Sequence, residues 1–213
     1  MIRKTVGLYL FLVLIMFPFT LSRAQESNRS TRAGIIIGTG SQQVFPFNCK
    51  DYTYNVSSIK GMYNFPVKSK GHFSFEIQIE PGLFHATHQL INEFYVQPKE
   101  GDDYLEQRER FTKKKAITEA ALNVGIIFRY NTNCNLGFYI IGSVGPMVSD
   151  NETERLARGF AFSDIVAAGI SYRKGKTIFE IRPGVRHVSN ANIQLPNSGH
   201  NSTNIDLGIS FIL

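Results

Sequence analysis

The sequence predicts an all-β protein: a small antiparallel transmembrane β-barrel of about eight strands. Three observations lead there. Phe (17), Tyr (9) and Gly (18) are frequent and Trp is absent, a balance that favours strands and turns. Short segments alternate apolar and polar side chains, and the connections between them alternate in length. Successive side chains of a strand point to opposite faces. Alternation with charges on the second face therefore fits a barrel with an apolar exterior and a polar interior.

At the start of the chain, Arg3 and Lys4 precede an apolar run over 6–21, and Ser22-Arg23-Ala24 places small residues at the −3 and −1 positions of a cleavage site. The run is short for a helix spanning a membrane in roughly 20 residues, and it contains Pro18. Residues 1–24 are therefore expected to be a signal peptide and 25–213 a single barrel domain. Three of the 23 basic residues and none of the 17 acids lie in 1–24. The remainder holds 20 against 17, a net charge of +3 rather than the +6 of the whole chain. A balance that mild gives no support to nucleic-acid binding.

Strands are expected near 34–45, 52–65, 72–86, 116–130, 136–147, 160–173, 177–188 and 202–213. The pattern is clearest in 72–80, where Phe73, Phe75, Ile77 and Ile79 share one face, with Ser74, Glu76, Gln78 and Glu80 on the other. In 178–189, Phe179, Ile181, Val185, His187 and Ser189 share one face, opposite Glu180, Arg182, Gly184 and Arg186. The last segment sets Ile205, Leu207, Ile209, Phe211 and Leu213 against Asp206, Gly208 and Ser210. The stretch 83–97 fits either a strand extension or a short helix over the rim.

The connections at 66–71, 131–135 and 174–176 are short; those at 97–115, 148–159 and 189–201 are long and polar. Tight turns at one rim and long loops at the other characterise outer-membrane barrels, with the tight turns periplasmic. A soluble lipocalin-like barrel is the weaker architectural alternative. Cys49 and Cys134 fall at opposite rims, roughly 25 Å apart, beyond disulfide reach, so both thiols are expected to be free.

One constellation carries chemistry. His187 and Ser189, two residues apart on one strand, present an imidazole and a hydroxyl on the face assigned to lipid, at the long-loop rim. A polar pair there costs free energy unless it is interfacial or used, and a hydroxyl beside a base is a nucleophile arrangement. Asn201 has matching parity on the next strand and begins at the same rim, so the hairpin should return it beside His187. It offers an amide rather than a carboxylate to orient the ring. Backbone N–H groups at Asn190 and Ala191 are candidate oxyanion donors.

The run His187-x-Ser189-Asn190-Ala191-Asn192, followed by Pro196-Asn197-x-Gly199, resembles the signature of the PagL family of outer-membrane lipid A 3-O-deacylases and their acyloxyacyl-hydrolase-like relatives. Residues 158–164 (Arg-Gly-Phe-Ala-Phe-Ser-Asp) look like that family's sixth-strand region. The resemblance is specific over about 158–213. It implies an eight-stranded barrel in the bacterial outer membrane that removes an ester-linked acyl chain from lipid A of lipopolysaccharide in the outer leaflet, through a Ser-His-Glu triad and without a cofactor. Carried over, Ser189 matches the nucleophile, His187 the base, and Asn190 the Asn after the serine. The family's glutamate falls on Asn201, a departure that keeps the nucleophile and base and removes the carboxylate. The rival reading is a non-catalytic outer-membrane barrel of OmpX type with a binding or structural role.

Weaker signals remain. Arg108, Arg110, Lys113, Lys114 and Lys115 form a basic run over 108–115 that could clasp phosphates or sit solvated on a loop. His85-x-x-His88 lacks the acids or cysteines of a metal site, and no metal is expected. Glu76, Glu80, Glu180, Arg129, Arg173, Arg182 and Arg186 are expected to pair structurally in the lumen. Whether the barrel forms a homodimer is left open by the sequence.

Overall fold

The computed structural model describes residues 30–98 and 103–213; the expected signal peptide lies outside the described residues. Eight antiparallel strands follow one another around a closed ring: β1 (Arg32–Ser41), β2 (Tyr52–Lys70), β3 (Phe73–Leu90), β4 (Lys115–Asn131), β5 (Leu136–Ser149), β6 (Gly159–Lys174), β7 (Thr177–Ser189) and β8 (His200–Ile212). Pairing of β1 with β8, from Arg32 opposite Ile212 to Ser41 opposite Thr203, closes the sheet and leaves no edge.

All eight expected strands are present, with three boundary corrections. β1 stops at Ser41, so the first connection is longer than expected. β2 continues past Pro66 to Lys70 because a register shift between Pro66 and Lys68 absorbs the proline, a local bulge being where a strand tolerates a missing N–H. The tight turn is therefore only Gly71-His72, with Gly71 at φ +58°. The ambiguous stretch 83–97 is strand to Leu90, then a 3₁₀ turn at Glu93–Tyr95. A nine-residue helix, α1 (Tyr104–Thr112), was not expected. Its sequence signal is Asp103, whose carboxylate accepts the Glu106 N–H at 3.2 Å as the N-cap.

The interior is built from ion-paired layers. Nearest the tight turns, Arg32 and Arg129 both contact Glu76 and Glu180, at 2.6–3.2 Å. Above them Lys60 and Arg182 both meet Glu80 and Asp206. Higher still, Arg186 pairs with Glu119 at 2.8 Å while Tyr54 donates to the same carboxylate. The mid-barrel void beside Lys60, Arg182, Arg186 and Asp206 holds about 10 Å³, room for about one water. The barrel is filled rather than open. Arg173 is the exception to the expected network: it lies exposed at the tight-turn rim, where its Nε donates to the Gly175 carbonyl.

The outer wall is apolar, with Ile37, Val124, Phe128, Ile140, Val166 and Leu207 each about half exposed. Phe73, Phe128 and Tyr130 stack near the tight turns, as aromatic side chains do at a membrane interface. Both cysteines are free. His85 and His88 fall on opposite faces of β3, one exposed and one buried, and so cannot bind one ion together.

Candidate functional site

β7 rises from the tight-turn rim and ends at Ser189; β8 begins at His200 and descends beside it. His187 and Ser189 have the parity of the exposed Phe179 and Ile181, whereas Arg182 and Arg186 point inward and are buried. The imidazole and hydroxyl therefore stand on the outer wall, half-buried, at the long-loop rim. Strand pairing sets His187 opposite Asn201 on β8 and opposite Asp164 on β6, and Ser189 opposite Phe162.

The hairpin returns Asn201 to the side of His187. His187 Nδ1 lies 2.7 Å from Asn201 Oδ1. An amide oxygen only accepts, so Nδ1 is the donor in this bond, which in the neutral ring leaves the lone pair on Nε2. Among the described residues no hydrogen bond joins Ser189 Oγ to the ring; the two groups share a face and a rim without closing the contact.

The 190–199 loop wraps this row. Ala191 and Asn192 adopt positive φ, 53° and 61°. Asn190 turns its side chain into the loop and donates Nδ2 to the Gln194 carbonyl at 2.7 Å. Its backbone N–H is held by Asn197 Oδ1 at 2.7 Å. This corrects the expectation for Asn190, because a donor already engaged inside the loop is not free for an oxyanion. Ala191 is exposed beside it. From the neighbouring long loop, Arg155 clamps the hairpin: its carbonyl accepts both the Ser198 and Gly199 N–H groups, and its Nε donates to the Gly199 carbonyl at 2.8 Å.

Gly199 is the tightest point. Its φ is +67°, and a Cβ there would lie 3.1 Å from His187 Cε1 and 3.4 Å from Ser189 Cβ, and would strike the Val188 carbonyl. Only a residue without a side chain lets the loop close over the pair. Gly199→Ala should therefore cost about 1–2 kcal/mol from the backbone conformation alone, plus whatever the Val188 clash adds. A urea-unfolding midpoint measured in detergent micelles, unchanged from wild type, would refute this.

Strand parity in the sequence places His187, Ser189 and Asn201 on one wall; the neighbouring positions of Asp164, Arg155 and Gly199 emerge only from the fold. Asp164 was findable, because it alternates with Phe160, Phe162, Val166 and Ala168 on an apolar face; its register against His187 was not. The basic run is largely engaged locally. Arg110 pairs with Glu152, Lys113 with Glu109, and the Arg108 guanidinium stacks on Phe94 and Tyr104.

A closed eight-stranded ring with an apolar outer wall, an ion-paired interior and unequal rims is an outer-membrane β-barrel, here with a polar row on its outer surface. Residues 95–210, more than half of the chain, match the family described as lipid A 3-O-deacylase (PagL), and the chain belongs to that family. Among solved structures, that of the outer membrane enzyme PagL is similar, with a TM-score of 0.56 and 12% identity, over 83% of this chain and 97% of that one. Neisserial surface protein A also matches, at a TM-score of 0.46 and 8% identity over 86% and 97% of the two chains. A de novo designed transmembrane β-barrel matches at 0.44 and 12% identity over 89% and 100%. No curated protein matches the chain.

Proposed function

We propose that the protein is an outer-membrane esterase that removes an ester-linked acyl chain from lipid A. Ser189 is the nucleophile, His187 the base and Asn201 the group that orients the base. The observation that carries this is the His187–Asn201 hydrogen bond on the outer wall of a chain belonging to a deacylase family. It fixes the tautomer that can take a proton from a hydroxyl two residues away on the same face.

Ser189 Oγ attacks the ester carbonyl while its proton passes to His187 Nε2. The tetrahedral intermediate collapses, and the sugar alkoxide leaves with that proton. Water, activated by the same imidazole, then hydrolyses the acyl-enzyme and releases the fatty acid. With the Asn190 N–H engaged, the Ala191 N–H is the backbone donor left from the sequence reading for the oxyanion. No cofactor or metal takes part. The filled interior supports a substrate met from the membrane side. So does an apolar groove of about 570 Å³ lower on the same wall, where Ala168 and Gly169 form the floor between Ile170, Ile181, Pro183 and Phe138; an acyl chain descending from the site would lie along it. A site at the long-loop rim would face the outer leaflet, with residues 1–24 proposed as the export signal.

The test is mass spectrometry of lipid A from cells expressing the protein or an empty vector. The expected result is loss of one acyl chain with the protein present. Identical spectra, with the barrel folded in the outer membrane, would leave the non-catalytic reading, which the amide at Asn201 in place of a carboxylate favours.

A further inference from the structure

An amide can hold an imidazole in place, but it supplies no charge for the imidazolium formed during acyl transfer. Among the described residues, the outer wall of the strands carries one group that can. Asp164 sits on β6 directly opposite His187. Residues so paired on one face of an antiparallel ladder have Cβ atoms about 5 Å apart. Its own burial is intermediate, between the buried Ser163 and Ile165, and on its other side the pairing partner is Val144, an apolar side chain on β5. A carboxylate at lipid-facing parity is expensive unless partnered or used. The ion pairs among the described residues lie inside the barrel or on the loops; none involves Asp164, whose carboxylate faces the His187 strand without a direct contact to the ring. The polar group in its cross-strand row is the imidazole.

We propose that Asp164 supplies from β6 the negative charge that Asn201 does not supply from β8, so that the site divides the third member of a triad between two strands: the amide orients His187 and the carboxylate stabilises it when it is protonated. Asp164 is thus a positioning residue acting through His187. The groups facing the ring on the outer wall are Asp164 from β6, Asn201 from β8 and Gly199 from the loop; the neighbouring Arg186 and His200 point into the barrel. This inference rests on the esterase reading above.

The experiment compares wild type, Asp164→Asn, Asn201→Glu and the Asp164→Asn/Asn201→Glu double variant in micelles, on lipid A and on a soluble p-nitrophenyl ester across pH. Each variant is first checked for barrel formation by heat-modifiable gel mobility. Asp164→Asn is isosteric and faces lipid, so the barrel should form; Asp164→Glu serves as a conservative control that retains the charge. Asp164→Asn is expected to lower kcat/KM by about tenfold, since the imidazolium formed during acyl transfer then has no negative charge on the neighbouring strand. Asp164→Glu, which keeps the charge, is expected to retain most of the activity. A merely structural role would favour Asp164→Asn, the closer isostere, over Asp164→Glu. Asn201→Glu should restore activity to the Asp164→Asn background. An active wild type whose rate survives Asp164→Asn, or falls equally in Asp164→Asn and Asp164→Glu, overturns the role of Asp164 and leaves the esterase intact. An inactive wild type made active by Asn201→Glu does the same, since Asp164 would then have failed to substitute. If wild type and Asn201→Glu are both inactive, the esterase reading falls and this inference falls with it.

Discussion

Ser189→Ala is expected to abolish lipid A deacylation, with a fall in kcat of roughly 10⁴-fold or more, because the atom that forms the acyl-enzyme is gone. His187→Ala should cost about as much, and the double variant little beyond either, since nucleophile and base act as a unit and their losses do not add. The fold should be indifferent to both changes. Each side chain stands half-buried on the outer wall at the end of β7, and the ladder beside them is made by backbone groups. Removing the Ser189 hydroxyl strands no recorded partner, and removing the imidazole frees only the half-buried Asn201 amide oxygen. The measurement is the lipid A acylation pattern over time after induction, with gel mobility confirming equal amounts of folded barrel. Deacylation by Ser189→Ala at the wild-type rate would remove Ser189 from the reaction. Loss on Ser189→Ala with full activity on His187→Ala would keep the nucleophile and overturn the base.

The legibility of this site in the sequence followed the physics of the strand. Parity is rigid: a residue two positions on returns to the same face, so His187 and Ser189 could be placed on one wall beside Phe179 and Ile181. Hairpin return through ten loop residues could then bring Asn201 alongside. Cross-strand register is not local. Nothing in the run from Gly159 to Lys174 says that Asp164, rather than Phe162, will stand beside the imidazole, because the β6–β7 turn and the pairing of eleven residue pairs set that height. Loop conformation was equally hidden. The residues of the Pro196-Asn197-Ser198-Gly199 segment were visible, yet the capture of the Asn190 N–H by Asn197 and of the Gly199 carbonyl by Arg155 depends on two long loops meeting above the barrel. Arg173 failed for a related reason: interior parity at a strand's last turns no longer means interior position, because the chain is already leaving the barrel there.

The largest stability effect should come from inside the barrel, immediately behind the site. Arg186 precedes His187 and points the opposite way, fully buried, with Nη1 2.8 Å from Glu119 Oε2, Nε 2.9 Å from Ser163 Oγ and the guanidinium 3.8 Å from the Phe84 ring centroid. Glu119→Ala would strip that cation of its counter-charge in a space that holds little water, and would leave the Tyr54 hydroxyl without its 2.7 Å acceptor. Breaking a buried pair from one side costs about 3–5 kcal/mol, visible as a lower urea midpoint for unfolding from micelles. Removing both charges, as Glu119→Met with Arg186→Leu, should recover most of the loss, because an apolar pair of similar volume replaces the ion pair without an orphaned charge. The single variant should also slow deacylation while the double variant largely keeps it, since a misplaced Arg186 would shift the backbone that aims His187 outward. A Glu119→Ala barrel within about 1 kcal/mol of wild type would mean that water reaches the guanidinium, against the dry, filled interior on which the outward placement of the site depends.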